Sequence, residues 1–326
     1  MPVIQYREAL NQALREEMSR DPNIFVMGEE VGAYDGAFKV TQGLMKEFGK
    51  ERVVDSPISE LGFVGLGIGA SMVGLRPVIE VMTWNFAILA MDQIVNNAAK
   101  VRYMSGGQLH CPIVFRGPTG AGTQLSSQHS QMLEAQYAYF PGLKVITPGT
   151  PRDAKGLLKA ALREQDPVVF MESELLYSVK GEVEAGELVI PIGQAEVKRP
   201  GEHVTVVCWH RMIYPVLDAA TKLAQEGIEV EVVDMRTVRP LDMPTVLASV
   251  RKTNRCVVVE EAWPIASVGS TIVDEVQREA FDDLDAPVIR LHAKDVPMPY
   301  NKKLEGMYAP TAEDVVAAVK KVLYVG

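Results

Sequence analysis

The chain has 326 residues, of which 47% are hydrophobic and 23% are charged, a composition typical of a globular protein long enough for two domains. The formal net charge of -9 argues against nucleic acid as a partner, because proteins that bind nucleic acid usually present a basic surface. The longest apolar stretches, such as VMTWNFAILAM, fall short of the roughly 20 residues that cross a bilayer. The chain also begins without the basic segment and apolar run of an export signal, so we expect a cytoplasmic protein with no membrane partner.

The three cysteines lie far apart, each in an apolar run that predicts a strand. Reduced thiols are common at such buried positions, and no two cysteines have the spacing of a zinc site or of a disulfide framework. Cys111, Cys208 and Cys256 therefore indicate a reducing compartment.

The first half of the chain alternates short strand patterns with longer helical patterns. The predicted strands are, in chain order, IFVMGEEV, RVVDSP, RPVIEVM, PIVFRG, LKVITP and PVVFMES. Helical patterns such as MDQIVNNAAKVRYM and PRDAKGLLKAALREQD lie between them, and this alternation indicates a parallel α/β sheet. We assign residues 1–176 to a doubly wound α/β domain.

A polar segment with several glycines and only short extended runs, residues 177–202, predicts a linker. The alternation then resumes in residues 203–326, with the predicted strands HVTVVCWH, IEVEVVDM, CVVVEEAW and VIRLHA. The last predicted helix starts at Thr311, which can cap it, and Glu313 and Asp314 in its first turn suit the helix dipole. The second domain is thus a smaller doubly wound α/β domain.

A glycine-rich stretch, GFVGLGIGASMVG, follows the second predicted strand. Its glycine spacing is compatible with a dinucleotide-binding loop, but that loop needs a strand directly before its first glycine, whereas SPISEL precedes it here. The alternative is a helix whose small residues, among them Gly65, Gly69, Ala70 and Ser71, let another element approach closely, at a cost of roughly 1 kcal/mol for each glycine. We favour the packing helix.

Glu60 lies just before this helix, after a strand and a proline, where α/β folds place chemistry. Next to Ile58, Leu61 and Phe63 its carboxyl can lose solvent, which favours the protonated form and suits it to sharing or donating a proton. The alternative is a surface glutamate that is stabilised by the helix dipole. Local chemistry alone leaves both interpretations open.

The run EVMTWNFAILAMDQ places Met82, Trp84, Phe86 and Leu89 at the end of a predicted strand and in the helix after it. These side chains could form a flat apolar wall for an aromatic ring, although such stripes more often belong to a core. His129 follows a glycine-rich loop, GPTGAGTQ, that is expected to border a cleft, where a histidine can exchange protons near neutral pH. A loop histidine bonded to backbone is the alternative.

Two acidic pairs, Glu29–Glu30 and Glu260–Glu261, each follow a predicted strand. Adjacent residues on an extended chain point in opposite directions, so only one of each pair can face a given cleft. Arg236 and Arg239 could bind an anion or pair with acids across a subunit contact. We favour the pairing, because no glycine loop at a helix start accompanies them.

Several long segments, in the same order, resemble the beta subunits of 2-oxoacid dehydrogenase complexes. They are GEEVGAYDGAFKVTQGL, RVVDSPISELGFVGLGIGASMVGLRPVIEVMTWNFAILAMDQIVNNAAK, YMSGGQLHCPIVFRGPTGAG, QHSQ, FPGLKVITPGTPRDAKGLLKAAL and DMRTVRPLD. The resemblance spans nearly the whole chain. MTWNF, YMSGG and KDVPMPYNKKLE are similar to the enzyme that acts on pyruvate, with acetoin and branched-chain 2-oxoacid dehydrogenases as the alternatives.

The resemblance implies a thiamine-pyrimidine-binding domain followed by a transketolase-type C-terminal domain, with thiamine diphosphate at the contact with an alpha subunit. It implies that Glu60 bonds a ring nitrogen of the aminopyrimidine and favours the imino tautomer that removes the thiazolium proton. Met82 and Phe86 match family positions that pack on the pyrimidine ring. His129 matches a histidine that handles protons during acyl transfer to a lipoyl group. Leu89 stands where some relatives have glutamine, so one polar contact to the pyrimidine is in doubt.

The chain contains only half of such a cofactor site. In the family pattern a Gly-Asp-Gly and a later Asn-Asn pair hold magnesium and the diphosphate. No Gly-Asp-Gly occurs here, and Asn96–Asn97 has nothing upstream to complete the site. The resemblance therefore implies a separate alpha subunit that holds most of the diphosphate and magnesium, in a heterotetramer of two alpha and two beta subunits. It further implies a dihydrolipoyl acyltransferase core with its lipoyl domain as partner, and a 2-oxoacid substrate.

Family members also bind potassium through backbone carbonyls, at positions that match Ile113, Ala161, Glu164 and Asp166. Carbonyl ligands leave no side-chain signature, so the resemblance alone implies this site.

Three other functions can be compared with this one. A self-sufficient transketolase-like enzyme would need the missing diphosphate half. A silent scaffold that only assembles a complex would not need both Glu60 and His129. A nicotinamide oxidoreductase rests on the glycine-rich stretch alone and would bind a dinucleotide as an isolated chain.

Overall fold

The computed structural model describes residues 1–325, and Gly326, the last residue of the predicted second domain, lies outside the described residues. The strands of the first half are β1 (Val3–Gln5), β2 (Ile24–Gly28), β3 (Val53–Asp55), β4 (Arg76–Glu80), β5 (Val114–Pro118), β6 (Lys144–Ile146), β7 (Val168–Glu172) and β8 (Lys180–Glu182). The α-helices of this half are α1 (Tyr6–Arg20), α2 (Leu44–Phe48), α3 (Glu60–Met72), α4 (Trp84–Ala87), α5 (Val101–Met104), α6 (Glu134–Ala138) and α7 (Pro151–Arg163). Shorter 3₁₀ turns span Ile88–Ala90, Ser127–His129 and Glu174–Leu176, and a π-helical segment spans Gln93–Ala98.

The second half is smaller and repeats the same alternation. Its strands are β9 (Glu196–Arg199), β10 (Val204–Cys208), β11 (Val230–Asp234), β12 (Thr237–Arg239), β13 (Cys256–Val259) and β14 (Ile289–Leu291). Its α-helices are α8 (Ile213–Ala224), α9 (Met243–Thr253), α10 (Val268–Glu279), α11 (Lys302–Glu305) and α12 (Ala312–Leu323), with 3₁₀ turns at His210–Met212 and Phe281–Asp283. Thr311 caps α12 through the backbone N–H of Asp314, which confirms the predicted start of that helix.

Two sheets organise the chain. The first has seven strands in the order β12-β6-β7-β5-β4-β2-β3, all parallel except β12, and the second has five in the order β14-β13-β10-β11-β9, all parallel except β9. The six strands predicted for the first half are all present. Strands β5 and β7 are buried along their whole length, as expected when helices cover both faces of a parallel sheet.

The predicted linker, residues 177–202, carries two short strands. Strand β8 pairs antiparallel with β1 at the start of the chain, and β9 forms an edge of the second sheet. This agrees with the short extended runs in that segment, and the domain limits at 176 and 203 stay a prediction. None of the helices in residues 1–325 combines the length and apolar character needed to cross a bilayer.

The glycine-rich stretch forms helix α3, so the packing helix is confirmed and a dinucleotide loop has no place there. A Cβ at Gly67 would lie 2.5 Å from Cδ1 of Ile79 on β4, and one at Gly65 would lie 3.2 Å from the Gln93 side chain. Gly69 faces open space instead. The close approach therefore occurs at Gly65 and Gly67.

Gly142, in the turn before β6, lies at a position where the structure leaves no room for a side chain. Its φ is +101°, and a Cβ there would overlap the carbonyl oxygen of Ala99. We expect Gly142→Ala to lower the free energy of unfolding by about 3 kcal/mol, because both the backbone conformation and the contact oppose a side chain. Gly227→Ala is the matched control, since Gly227 has φ +79° but open space around it, and it should cost only about 1 kcal/mol. Equal losses in urea denaturation would contradict the overlap.

One apolar cluster continues across the two domains. It includes Leu133 and Tyr137 of the first domain together with Trp209, Val238 and Val268 of the second. Strand β12, which follows the second sheet's β11, pairs with β6 of the first sheet. The domains therefore share both a core and a sheet.

Glu134, the first residue of α6, lies fully buried at this contact. One oxygen accepts a hydrogen bond from Nε1 of Trp209 at 3.3 Å, and the other has no partner among the described residues. Burial, reinforced by the nearby Glu260 carboxylate, raises the pKa of Glu134 to about 8. The folded chain thus keeps a proton that the unfolded chain releases near pH 4.3 (about the ordinary glutamate pKa), and stability falls as the pH rises between these values.

Glu134→Gln should remove this loss. We expect the free energy of unfolding of the variant, relative to the natural chain, to rise by about 2 kcal/mol on going from about pH 5.5 to pH 8. Denaturant titrations at the two pH values measure this difference. A relative stability that does not change with pH would show that Glu134 ionises normally.

Candidate active site

The carboxyl ends of β2, β4 and β5 meet at one edge of the first sheet, where open α/β sheets bind ligands. A cavity of about 130 Å³ opens there. Its lining is mostly apolar, with a histidine and a glutamate among the polar groups, and comprises Phe38, Met82, Thr83, Phe86, Pro118, Thr119, Gly120, Leu125, His129 and Glu174. Three residues that the sequence pointed to, Met82, Phe86 and His129, therefore share one cavity.

The apolar wall of this cavity is built by the turn from β4 into α4. Thr83 caps α4 by accepting hydrogen bonds from the backbone and side chain of Asn85, and this places Phe86 in the first turn. The ring of Phe86 packs edge-on against the imidazole of His129, with centroids 5.0 Å apart. Trp84 is fully buried against Tyr137 instead and belongs to the core, in agreement with the alternative prediction for this run.

Asn85 joins this wall to the loop that carries His129. Its side-chain oxygen accepts hydrogen bonds from the backbone N–H and the side chain of Gln131, at 3.1 and 3.0 Å. The carbonyl of Gln131 in turn accepts from Gly120 N and from the Thr119 hydroxyl, which closes the base of the loop. Asn85 was not singled out in the sequence, where only its place two residues after Thr83 marks it as part of a helix cap.

Two neighbouring carboxylates lie at the same edge of the sheet, after β2 and β3, and do not line the cavity. Glu60, the first residue of α3, is 6% exposed, and its side chain makes no hydrogen bond with any part of the chain that the structure describes. Glu29, directly after β2, is 7% exposed, and its Oε1 is buried without a partner. Burial raises the pKa of Glu29, and the neighbouring Glu60 carboxylate raises it further. Glu30 points outward, as expected for adjacent residues.

Such a pair is suited to holding a proton. Burial and a neighbouring like charge both oppose the ionisation of Glu29, so a proton on that carboxyl is favoured. A ligand nitrogen that donates to or accepts from a carboxyl would satisfy Glu60. The Glu29–Glu60 pair and the apolar wall thus offer the polar and the apolar contacts that an aminopyrimidine ring needs.

Leu89 and the carbonyls of the predicted potassium site lie elsewhere. Leu89 is exposed in the 3₁₀ turn after α4 and does not line the cavity. The carbonyl of Ile113 accepts from Val168 N at 2.9 Å and that of Glu164 from Arg76 at 2.6 Å. A carbonyl oxygen keeps a second lone pair after one hydrogen bond, so cation binding by these groups stays a prediction.

Residues 1–325 contain no group of three or more His, Cys, Asp or Glu side chains able to hold a metal ion. The side chains of Asn96 and Asn97 donate to Asp92 and Gln93, one turn earlier in the same helical segment. These bonds engage the Asn-Asn pair within its own helix.

A buried ion cluster lies behind the cavity. Arg116 on β5 donates to Glu172 on β7 and to Glu80 on β4, and Glu172 also accepts from the hydroxyl of Tyr177 at 2.8 Å. All three ionic side chains are almost fully buried. They sit on three adjacent strands and tie together the strand ends that support the apolar wall.

The remaining charged candidates have structural partners. Arg236 donates to backbone carbonyls of Gln194 and Ala195 and pairs with Glu196, and Arg239 donates to the carbonyl of Ala138. Arg236 thus has a structural role with acidic partners inside the chain, whereas Arg239 forms no ion pair among the residues that the structure describes, and pairing across a subunit contact stays a prediction.

Comparisons with known proteins agree with this architecture. The family described as "Transketolase, pyrimidine binding domain" matches residues 3–180, and "Transketolase, C-terminal domain" matches residues 193–315. A solved structure described as "Split gene transketolase, inactive beta4 tetramer" superposes with a TM-score of 0.81 and 27% identity, covering 99% of both chains.

Similar curated proteins carry one recurrent name. The chain is 53% identical to the "Pyruvate dehydrogenase E1 component subunit beta" of Rhizobium meliloti over 325 residues, covering 99% of this chain and 71% of that protein. It is 52% identical to the protein of the same name from Rickettsia bellii, covering 99% of each, and 51% identical to the mitochondrial one of Caenorhabditis elegans, covering 97% of this chain and 92% of the relative. With its transketolase-type pyrimidine-binding domain and C-terminal domain, the chain therefore belongs to the family of pyruvate dehydrogenase E1 component beta subunits.

Proposed function

We propose that this chain is the beta subunit of a thiamine-diphosphate-dependent pyruvate dehydrogenase. Paired with an alpha subunit, it would take part in the oxidative decarboxylation of pyruvate and the transfer of the acyl group to a lipoyl arm. The observation that carries the proposal is the buried Glu60 carboxylate without a partner, at the same sheet edge as the apolar wall of Met82 and Phe86.

The residues present fit the aminopyrimidine end of thiamine diphosphate. Met82 and Phe86 would contact the face of the ring, and Glu60 would hold a proton at a ring nitrogen. When bound, the cofactor supplies the carbanion and the electron sink for decarboxylation. Glu29 would assist as a second carboxyl at this site, because burial and the neighbouring Glu60 carboxylate raise its pKa and favour its protonated form.

His129 is proposed to handle protons during acyl transfer. Its imidazole is half-buried against Phe86 and lines the cavity. An imidazole has one nitrogen that can donate and one that can accept a proton, which suits it to proton transfer beside a reacting group. A lipoyl arm that enters this cavity would meet the imidazole at its wall.

The diphosphate half of the site is assigned to the alpha subunit. The sequence lacks the Gly-Asp-Gly of the family pattern, and its Asn96–Asn97 pair is bonded within its own helix. We therefore assign magnesium and the diphosphate mainly to alpha, in an assembly of two alpha and two beta subunits. We also propose that the chain docks to a dihydrolipoyl acyltransferase core and that it is located in the cytoplasm. A potassium ion is proposed at the backbone carbonyls of Ile113, Ala161, Glu164 and Asp166.

Co-purification with the alpha subunit tests this function. Both chains are expressed together, and decarboxylation is measured with and without thiamine diphosphate and magnesium, using pyruvate, branched-chain 2-oxoacids and acetoin. We expect activity on pyruvate that requires both chains and the cofactor. Activity of this chain alone would contradict the half-site, preference for another substrate would reassign the enzyme within its family, and a stable but inactive complex would favour a scaffold.

A further inference from the structure

The loop that carries His129 is held from the other domain. Glu261, directly after β13 of the second sheet, is fully buried, and its Oε1 accepts a hydrogen bond from the backbone N–H of Ala121 at 2.7 Å. Ala121 belongs to the segment between Thr119 and Gln131, whose ends are bonded to each other and which contains His129. A carboxylate of the second domain thus contacts the active-site loop of the first.

The backbone of the loop lies directly on this carboxylate. Gly120 has φ +76°, and a Cβ there would come within 2.9 Å of the Glu261 Oε1 atom. Only a residue without a side chain allows the chain to pass so close and to turn in this conformation. The glycine-rich composition of the loop is therefore explained, at this position, by contact with Glu261.

Arg211 fixes the carboxylate in place. From the 3₁₀ turn after β10 its guanidinium donates two hydrogen bonds to Glu261, from Nε to Oε2 at 2.7 Å and from Nη2 to Oε1 at 2.9 Å. Burial alone would raise the pKa of Glu261, but the charge and hydrogen bonds of Arg211, with His210, more than offset it and lower the value to about 2. The carboxylate is thus ionised at neutral pH, and a bidentate pair of this kind restricts its orientation strongly.

A second carboxylate of the C-terminal domain supports the same loop. Oε1 of Glu305, at the end of α11, accepts from the backbone N–H of Gln124 at 3.0 Å. The loop therefore has two backbone contacts to the second domain, on the stretch that precedes His129.

We infer that Glu261, oriented by Arg211, is a positioning residue that sets the place of His129 at the cavity. Its effect on catalysis rests on the proposed role of His129, whereas its effect on the loop does not. The second domain then has two roles toward the first: its strand β12 pairs with β6, and its residue Glu261 positions the loop that carries His129.

Two variants test this in the complex with the alpha subunit. Glu261→Gln places an amide N–H against the Arg211 guanidinium, and Arg211→Lys keeps the charge but loses the two-pronged contact. Hydrogen–deuterium exchange of residues 119–131 should rise about tenfold in Glu261→Gln, because the acceptor of the Ala121 N–H bond loses its charge. It should rise less in Arg211→Lys, where the carboxylate stays but is less firmly oriented. Glu260→Gln is the matched control, since that buried neighbour bonds Ser267 and Gly269 and not the loop.

Separate assays of decarboxylation and of acyl transfer distinguish a positioning role of Glu261 from a general loss of stability. Decarboxylation with an artificial electron acceptor should fall about threefold or less, while acyl transfer to a free lipoyl domain should fall about tenfold or more, with Arg211→Lys milder than Glu261→Gln. Unchanged exchange in both variants, or equal loss in both half-reactions, would overturn the inference. His129→Ala serves as the reference. Normal acyl transfer in that variant would refute the proposed role of His129. The exchange result would still decide whether Glu261 holds the loop.

Discussion

Glu60→Gln is expected to lower the turnover of the assembled complex by about 1,000-fold, within the range that one general acid–base group contributes. The amide keeps the shape and the first turn of α3, so assembly should be preserved. It cannot share a proton with a ring nitrogen, and this is the function that the unpartnered, buried carboxylate offers. Steady-state decarboxylation of pyruvate by the alpha–beta complex measures the change.

The exposed neighbour of Glu29 provides the control for this experiment. Glu30→Gln alters a carboxylate at the same sheet edge that points into solvent, and it should leave turnover little changed. Turnover of Glu60→Gln close to that of the natural chain would contradict the proposed chemistry. A variant that fails to assemble would instead show that Glu60 has a structural role.

Arg116→Met should destabilise the chain by about 4 kcal/mol, because removal of one partner leaves uncompensated charge in the interior. Glu80 and Glu172 would then lie buried on either side of β5 without their cation. Denaturant unfolding of the chain measures the loss. Arg278→Met, which removes an exposed arginine paired with Asp274 and Glu275, should leave the stability nearly unchanged, because solvent screens surface ion pairs.

Replacement of the whole cluster distinguishes charge from packing. A variant with methionine at positions 80, 116 and 172 removes all three charges and keeps similar volumes, and such exchanges are often close to neutral. We expect it to recover most of the stability that Arg116→Met loses. If it is no more stable than the single variant, packing of the arginine side chain rather than charge pairing accounts for the loss.

Much of the fold follows from local patterns in the sequence. Parallel strands buried on both faces are continuous apolar runs, so β2 to β7 and the inner strands of the second sheet could be predicted directly. Strand β12 could not, because its three residues, Thr237–Arg239, have no apolar run of their own and pair with a strand of the other domain. The stretch MDQIVNNAAKVRYM was predicted as one helical segment, but the structure divides it into the π-helical segment Gln93–Ala98 and the short helix α5.

The residues of the site likewise fall into those that the sequence indicated and those that it did not. Met82, Phe86 and His129 were named from their chemistry and family resemblance, and they share one cavity. Asn85 and Glu261 were missed as parts of the site because their roles depend on partners distant in sequence. Ala121 and Glu261 are 140 residues apart, and no local pattern reports such a contact. For Glu60, local chemistry left two interpretations open, and the family resemblance favoured the functional one.

The pairing of β12 with β6 bears on whether the two halves can exist separately. A chain that ended after the linker would leave the backbone groups of β6 unpaired along a sheet edge, and exposed edges of this kind recruit strands from other molecules. The isolated pyrimidine-binding half would therefore tend to self-associate. In the whole chain, unfolding of either half would expose the sheet edge of the other half. We therefore expect the protein to unfold in a single cooperative transition. The two halves would also have to be made as one chain to avoid self-association.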